Sequence, residues 1–314
     1  MRIASIDIGT NTILLLIAEV TKKGERLYLE SIFQKQYIPR IGRNTDSSGL
    51  IQEKAFSDCE QILNEYKILA EKYDCQNIIA TGTSALRDAN NKDKFIKHQF
   101  NKTGIRISIL SGEEEAQCTF KGALTNIFDD NKYCVIDIGG GSTEISHGTN
   151  NELQFHKSIN IGAVRVTERF FTKLPISDNS FKDAISFIHE NINILSENNF
   201  SDSKFIAVAG TATTLAKIDL KLSQFNYELI ENYKLKLESI NNIINHLKTL
   251  TLSEIEAIPY ITKGRSDVIF AGALILKEIL TFLSVDVVNV STKGLRFGTS
   301  LREANKLFFN SLDN

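Results

Sequence analysis

The chain has 314 residues, 42% of them hydrophobic, with 36 Lys+Arg against 38 Asp+Glu. That length can bury a sizeable core and suggests about two domains at roughly 150 residues each. The near-balanced charge gives no support to a nucleic-acid-binding or membrane-surface protein. No apolar run approaches the ~18 residues that span a bilayer; the longest, VIFAGALILKEIL, is broken by Lys277 and Glu278. Met1 and Arg2 lead straight into an apolar strand without the h-region of a secretory leader, so no signal peptide is expected. Cys59, Cys75, Cys118 and Cys134 form no CxxC pair and sit beside no histidine at metal spacing. They read as free buried thiols in a reducing cytoplasm. The five histidines are scattered and argue against zinc. Divalent-metal chemistry would then fall to carboxylates, which favours a hard ion such as Mg²⁺.

In chain order, residues 2–8 (RIASIDI) read as a buried strand, followed by a GTNT turn and strands at 13–20 and 26–38, a meander. Residues 51–72 carry helical periodicity through Ile51, Ala55, Cys59, Ile62, Leu63, Tyr66 and Leu69. NIIATGTSALRDA is strand, turn and helix start. A strand follows at 105–110, and SGEEEAQCTFKGAL opens a helix with Ser111 as N-cap and Glu114 at its third position. The pattern then restarts: strands at 133–138, 143–148 and 152–159, helices at about 162–173 and 178–196, and strand, glycine turn and helix in KFIAVAGTATTLAKI. Helices at 237–249, 251–257 and 266–283, a strand at 285–290 and a helix at 295–309 complete the chain. The repeat of a whole domain implies α/β architecture with mixed sheets. The expected domains are 1–124 and 125–314. The junction near 121–131 is short enough to hinge, and the last helix, about 295–310, is able to pack back on the first domain.

Chemistry concentrates in matched turns. Gly9, Thr10, Asn11 and Thr12 form one; Gly139, Gly140 and Gly141 with Ser142 and Thr143 form the other. Glycine permits close backbone approach, and successive N–H groups can make an anion-binding concavity. Either loop alone is accounted for by turn geometry. The pair, at matching places in two half-chains, points to phosphate binding. Neither is a Walker A or GxGxxG motif. Asp7 and Asp137 end the preceding strands; carboxylates beside phosphate make sense with Mg²⁺ between, and Glu144 could add a ligand. Glu113, Glu114 and Glu115 suit a helix N-terminus, and at ~100° per residue at most one or two can face a cleft. An inward one could deprotonate water. Arg87 could fork onto phosphate oxygens. Gly210 and Thr211 form a third glycine turn, which could take a nucleotide or phosphate at the helix N-terminus or serve tight helix–strand packing. Lys263, Arg265, Lys293 and Arg296 form basic loops that could line a polyanion path, though a solvated surface is equally expected of them.

DIGTNT, TSALRDA, SGEEEA, DIGGGSTE, GAVRVTERF, GTATTLA, RSDVIFAGALIL and GLRFG, in this order, resemble the signatures of the exopolyphosphatase/guanosine-pentaphosphate phosphohydrolase (Ppx/GppA) family over nearly the whole chain. The resemblance implies two ribonuclease-H-like domains of the actin/sugar kinase/heat-shock ATPase superfamily around an interdomain cleft. It implies Mg²⁺-dependent release of the terminal phosphate from inorganic polyphosphate, from guanosine pentaphosphate, or from both. Carried over, Glu115 is the catalytic base, Arg87 holds the terminal phosphoryl group, and Asp7, Asp137 and Glu144 are linked to metal. K⁺ activation and a homodimer are further family-based expectations. This chain has three consecutive glutamates where many relatives show two. It does not contain the helical C-terminal region of longer relatives, so processivity on long polymer is not implied. A kinase on the same scaffold and a non-hydrolytic nucleotide sensor are the rival readings.

Overall fold

The computed structural model describes residues 1–262 and 264–309, without the side chains of residues 46 and 47. The chain divides into two compact units: Met1–Asp129 with the segment from Lys293 onward, and Asp130–Thr292. The division falls at Asp129/Asp130 rather than 124/125, and the last helix belongs with the first unit.

The first unit runs β1 (Arg2–Ile8), β2 (Ile13–Lys23), β3 (Arg26–Tyr37), α1 (Thr45–Ser48), α2 (Glu53–Lys72), β4 (Asn77–Gly82), α3 (Ser84–Asp88), α4 (Lys92–Thr103), β5 (Ile107–Ile109) and α5 (Gly112–Ala123). The second runs β6 (Lys132–Ile138), β7 (Thr143–Gly148), β8 (Leu153–Ile159), α6 (Ala163–Phe170), α7 (Asp178–Ile192), β9 (Ser203–Val208), α8 (Ala209–Asp219), α9 (Tyr227–Ile230), β10 (Tyr233–Lys236), α10 (Leu237–Lys248), α11 (Leu252–Glu256), α12 (Ile269–Phe282) and β11 (Val287–Val290); α13 (Leu295–Phe309) closes the first unit.

The sheets are ordered β3-β2-β1-β4-β5 and β10-β11-β9-β6-β7-β8. In each, an antiparallel meander is extended by parallel strands on its first strand: β4 and β5 on β1, and β9 and β11 on β6. The second sheet adds β10 antiparallel at its edge. The topology is thus duplicated, and each unit is an α/β domain built on a mixed sheet.

β1 and β2 read as nearly unbroken apolar runs because both faces of their sheet are covered. Ile6, Ile8, Leu15 and Ile17 pack with Phe56, Leu63 and Tyr66 of α2. Ile3, Leu16, Ala18 and Val20 pack with Phe297 and Ala304 of α13. The buried hydroxyls of Ser5 and Thr299, 2.6 Å apart, tie α13 to β1. A Cβ on Gly298 would fall 1.7 Å from the Cys118 carbonyl oxygen, so α5 and α13 touch backbone to backbone. In the second unit α12 is buried on nearly every side, against Ile240, Ile244 and Leu247 of α10 among others. That burial is why its long apolar run is a core helix. Among the described residues no helix is long and apolar enough to cross a membrane.

Candidate functional site

In the first unit the functional side chains gather where β1, β4 and β5 end. The 9–12 turn is closed by the Gly9 N–H donating to the Thr12 carbonyl at 2.9 Å. Asp7 sits on the face of β1 that also carries Ser5, the face covered by α13. Its Oδ1 is buried and has no hydrogen-bond partner, and neither does the buried Asn11 Nδ2. Burial pushes the Asp7 carboxyl up to about 6, against the pull of the nearby Arg296 guanidinium. A Cβ on Gly9 would lie 3.9 Å from Thr83 Oγ1, and Thr83 N–H donates to the Ile8 carbonyl at 3.3 Å. The turn therefore abuts the start of α3, which carries Arg87.

Arg87 Nη1 donates to Glu115 Oε2 at 2.8 Å and to the Leu110 carbonyl at 3.1 Å. The three consecutive glutamates separate by role. Glu113 is exposed and accepts from Gln117. Glu114 closes a capping box with Ser111 and pairs with Arg302. Glu115 alone is buried, at 7% exposure, and faces the arginine. The cap thus fixes the helix start, and the helical turn then aims the next carboxylate inward.

The second unit repeats the construction with differences. Gly139 N–H donates to the Ser142 carbonyl at 2.9 Å, the counterpart of the Gly9–Thr12 bond. Asp137 stands opposite Glu144 in the β6–β7 pairing, and Glu144 stands opposite Ser158 in β7–β8. The Ser158 hydroxyl donates to Glu144 Oε1 at 2.7 Å. On the first sheet the residue opposite Asp7 is Leu14, so this polar row belongs to the second unit alone. The glycine run is gripped from α6: the N–H groups of Val164 and Arg165 donate to the Gly140 carbonyl, and Arg165 Nε donates to the Gly141 carbonyl at 2.8 Å. A Cβ on Gly162 would stand 2.3 Å from the Gly140 oxygen. At the start of α8, Ala209 holds φ +64°. The half-buried Arg265 guanidinium lies directly on Gly210, where a Cβ would be 2.1 Å from Nη2. Loss of hydration pushes Arg265 down to about 10.

Family comparison adds to this geometry. The family model described as the Ppx/GppA phosphatase family matches residues 16–307. The chain belongs to this family. It is 36% identical over 308 residues to the bifunctional 3-dehydroquinate synthase/phosphatase of Fusobacterium nucleatum, covering 95% of this chain but 46% of that protein. It is 28% identical over 312 residues to exopolyphosphatase 2 of Mycobacterium tuberculosis, covering 96% and 98%. A solved exopolyphosphatase from Cytophaga hutchinsonii superposes with a TM-score of 0.88 at 26% identity, over 97% of this chain and 98% of that one.

Within this Ppx/GppA framework several expected ligand groups are committed elsewhere. The Thr143 hydroxyl donates to the Ile161 carbonyl at 2.6 Å and the Thr211 hydroxyl to the Ile138 carbonyl at 3.2 Å, so both protons hold backbone. Arg296 donates to the Leu15 carbonyl at 2.8 Å and to Gln34 at 3.0 Å inside the first unit. Lys293 lies half-buried in the turn before α13, and Lys263 falls outside the described residues. Among the described residues no cluster of three or more His, Cys, Asp or Glu is arranged to hold a metal ion. The donor chemistry still fits a hard cation: Asp7 offers an orphaned carboxylate oxygen, and Asp137 and Glu144 stand side by side. Ser158 and Arg165 were not singled out from the sequence. GAVRVTERF did contain Arg165, but only the fold shows that its side chain reaches the glycine loop.

Proposed function

We propose that this chain hydrolyses phosphoric anhydrides, removing the terminal phosphoryl group of inorganic polyphosphate. The buried Glu115–Arg87 pair beside a turn with orphaned polar groups carries the reading. Glu115 takes a proton from water as the water oxygen bonds to the terminal phosphorus. The bridging P–O bond breaks, and the electron pair leaves with the shortened chain. Arg87 stabilises the transferring oxygens; the backbone N–H groups of the 9–12 turn, and in the other unit those of the 139–143 turn, are each suited to phosphate oxygens. Phosphoryl transfer asks chiefly for such positioning and charge stabilisation. Mg²⁺ held by Asp7, or by Asp137 and Glu144, would neutralise phosphate charge. The four free cysteines suit the reducing cytoplasm in which we place the protein. Potassium activation and a homodimer belong to the same reading through the family resemblance.

The test is phosphate release with Mg²⁺ from long-chain polyphosphate, short-chain polyphosphate, guanosine pentaphosphate and ATP at matched terminal-phosphate concentration. Polyphosphate is expected to lead in kcat/KM. A tenfold lead for guanosine pentaphosphate would keep the chemistry and change the substrate. Tight nucleotide binding without release from any substrate would sink the hydrolase reading in favour of a sensor, and transfer to an acceptor other than water would favour a kinase.

A further inference from the structure

The side chain missing at residue 9 has no local explanation. Gly9 is not among the glycines with positive φ. The nearest atoms to a Cβ there would be the Thr12 carbonyl oxygen at 3.4 Å, Thr83 Oγ1 at 3.9 Å and Asp7 Oδ1 at 4.0 Å, all ordinary contacts. Neither backbone strain nor crowding asks for glycine at this place. What glycine leaves instead is a gap bordered by two side-chain oxygens. Asp7 Oδ1 is buried without a hydrogen-bond partner. Thr83 is 5% exposed, and its hydroxyl makes no hydrogen bond with any described residue. It stands at the N-cap of α3 but its side chain caps nothing.

The second unit shows the same hydroxyl committed. GTS (82–84) leads from β4 into α3, and GTA (210–212) leads from β9 into α8. There the Thr211 hydroxyl is spent on the Ile138 carbonyl at 3.2 Å. Ile8 follows Asp7 as Ile138 follows Asp137, but the Ile8 carbonyl takes the Thr83 N–H at 3.3 Å. The Thr83 hydroxyl is thereby left over. The 9–12 turn beside it carries further uncommitted donors. Asn11 Nδ2 is buried without a partner, and the N–H groups of Thr10, Asn11 and Thr12 donate to no carbonyl among the described residues. A hydroxyl, an amide and three N–H groups suit the oxygens of a phosphoryl group. We infer that Thr83 is a substrate-binding residue: its hydroxyl donates to an oxygen of the terminal phosphoryl group, seated in the gap that Gly9 keeps open. The inference rests on the hydrolase reading above.

Isothermal titration of orthophosphate into the full chain with Mg²⁺ present tests it. Thr83→Val removes an unbonded hydroxyl at nearly constant shape, and Gly9→Ala fills the gap without a clash. Both variants should melt no lower than wild type. Both should bind orthophosphate about tenfold or more weakly, as loss of a hydrogen bond to a charged group predicts. Thr83→Ser, which keeps the hydroxyl, should stay within about threefold of wild type. Wild-type affinity in Thr83→Val or in Gly9→Ala overturns the inference. So does an equal loss in Thr83→Ser, or a loss matched by a fall in melting temperature, since either would make Thr83 a packing residue. A loss of Mg²⁺ affinity measured without phosphate, with orthophosphate affinity kept, would assign the hydroxyl to the cation and also overturns it. Phosphate release from polyphosphate, run in parallel, separates the two levels. If wild type releases phosphate while Thr83→Val keeps wild-type affinity and kcat/KM, the hydrolase reading stands and Thr83 falls. If wild type releases nothing yet binds orthophosphate through Thr83, the anion site stands and the hydrolase reading falls. If wild type neither releases phosphate nor binds it, both fall.

Discussion

Glu115 and Arg87, 28 residues apart in the chain, meet at 2.8 Å, and the same guanidinium nitrogen also holds the Leu110 carbonyl just before the helix that carries Glu115. One arginine thus fixes both the start of α5 and its first buried carboxylate. Replacing each partner should give different signatures. Glu115→Gln keeps an oxygen for Arg87, so the melting temperature should stay near that of wild type. Loss of the general base should still lower kcat by ~10² to 10⁴. Arg87→Met leaves a buried carboxylate short of its donor and should cost about 1–3 kcal/mol of stability as well as activity. Paired melting and kinetic measurements check this. A Glu115→Gln loss below threefold in a folded protein would remove Glu115 from the base role.

The second-unit turn depends on Gly162, which lies outside it. A methyl group at residue 162 would collide with the Gly140 carbonyl, whose oxygen also accepts from Val164 and Arg165. Gly162→Ala should push the glycine run out of register, costing about 1–3 kcal/mol as an overpacked site does. Phosphate-dependent activity should fall by more than the stability loss explains. Activity measured at a temperature where the variant remains folded would show it, and wild-type kinetics there would refute it.

Much of this was legible in the sequence because it was written in backbone requirements. Asp-x-Gly after an apolar strand specifies a tight turn at the same place in each half, and Ser111 with Glu114 specifies a cap that leaves Glu115 to turn inward. What stayed hidden depended on partners distant in the chain. Arg296 looked like a basic loop residue, but its fork is taken up by Leu15 and Gln34. Thr143 and Thr211 looked like ligand hydroxyls, yet each donates to a carbonyl. Helix α4 escaped periodicity because its buried face carries Gln99 and Thr103 beside Phe95. Strand β10 escaped because it buries only Leu235.

The cysteines give a test of packing that is independent of activity. Cys59 and Cys134 are fully buried, and burial pushes both thiols far above their ordinary range. Cys118 is buried beside Leu110 and Leu295 with its thiol also raised. Cys75 is the partly exposed one. A thiol reagent at pH 8 should therefore modify Cys75 first in the native protein, and all four cysteines only after denaturation. Rapid labelling of Cys134 in the native state would contradict the packing of the second core.

Asp7 links stability to pH in the metal-free protein. Its folded carboxyl is raised to about 6 from 3.8, chiefly because burial disfavours the charged form. Between those values the folded state holds more protons than the unfolded one. Stability from this group is therefore fully present below about 3.8 and declines as pH rises, and the loss is complete once pH passes the folded value near 6. At 1.36 kcal/mol per pKa unit the loss is on the order of 3 kcal/mol at most. Asp7→Asn removes the ionisation. In EDTA at pH 7.5 the variant should melt above wild type, and the gap should narrow toward pH 5. Its activity in Mg²⁺ should fall sharply, since the orphaned oxygen is the group offered to a cation. Mg²⁺ should raise the melting temperature of wild type more than that of the variant. Melting curves across pH 5–8, with EDTA and with Mg²⁺, read both effects. A variant that melts below wild type in EDTA at pH 7.5 would mean that the buried Asp7 oxygen has a stabilising partner and does not await a cation.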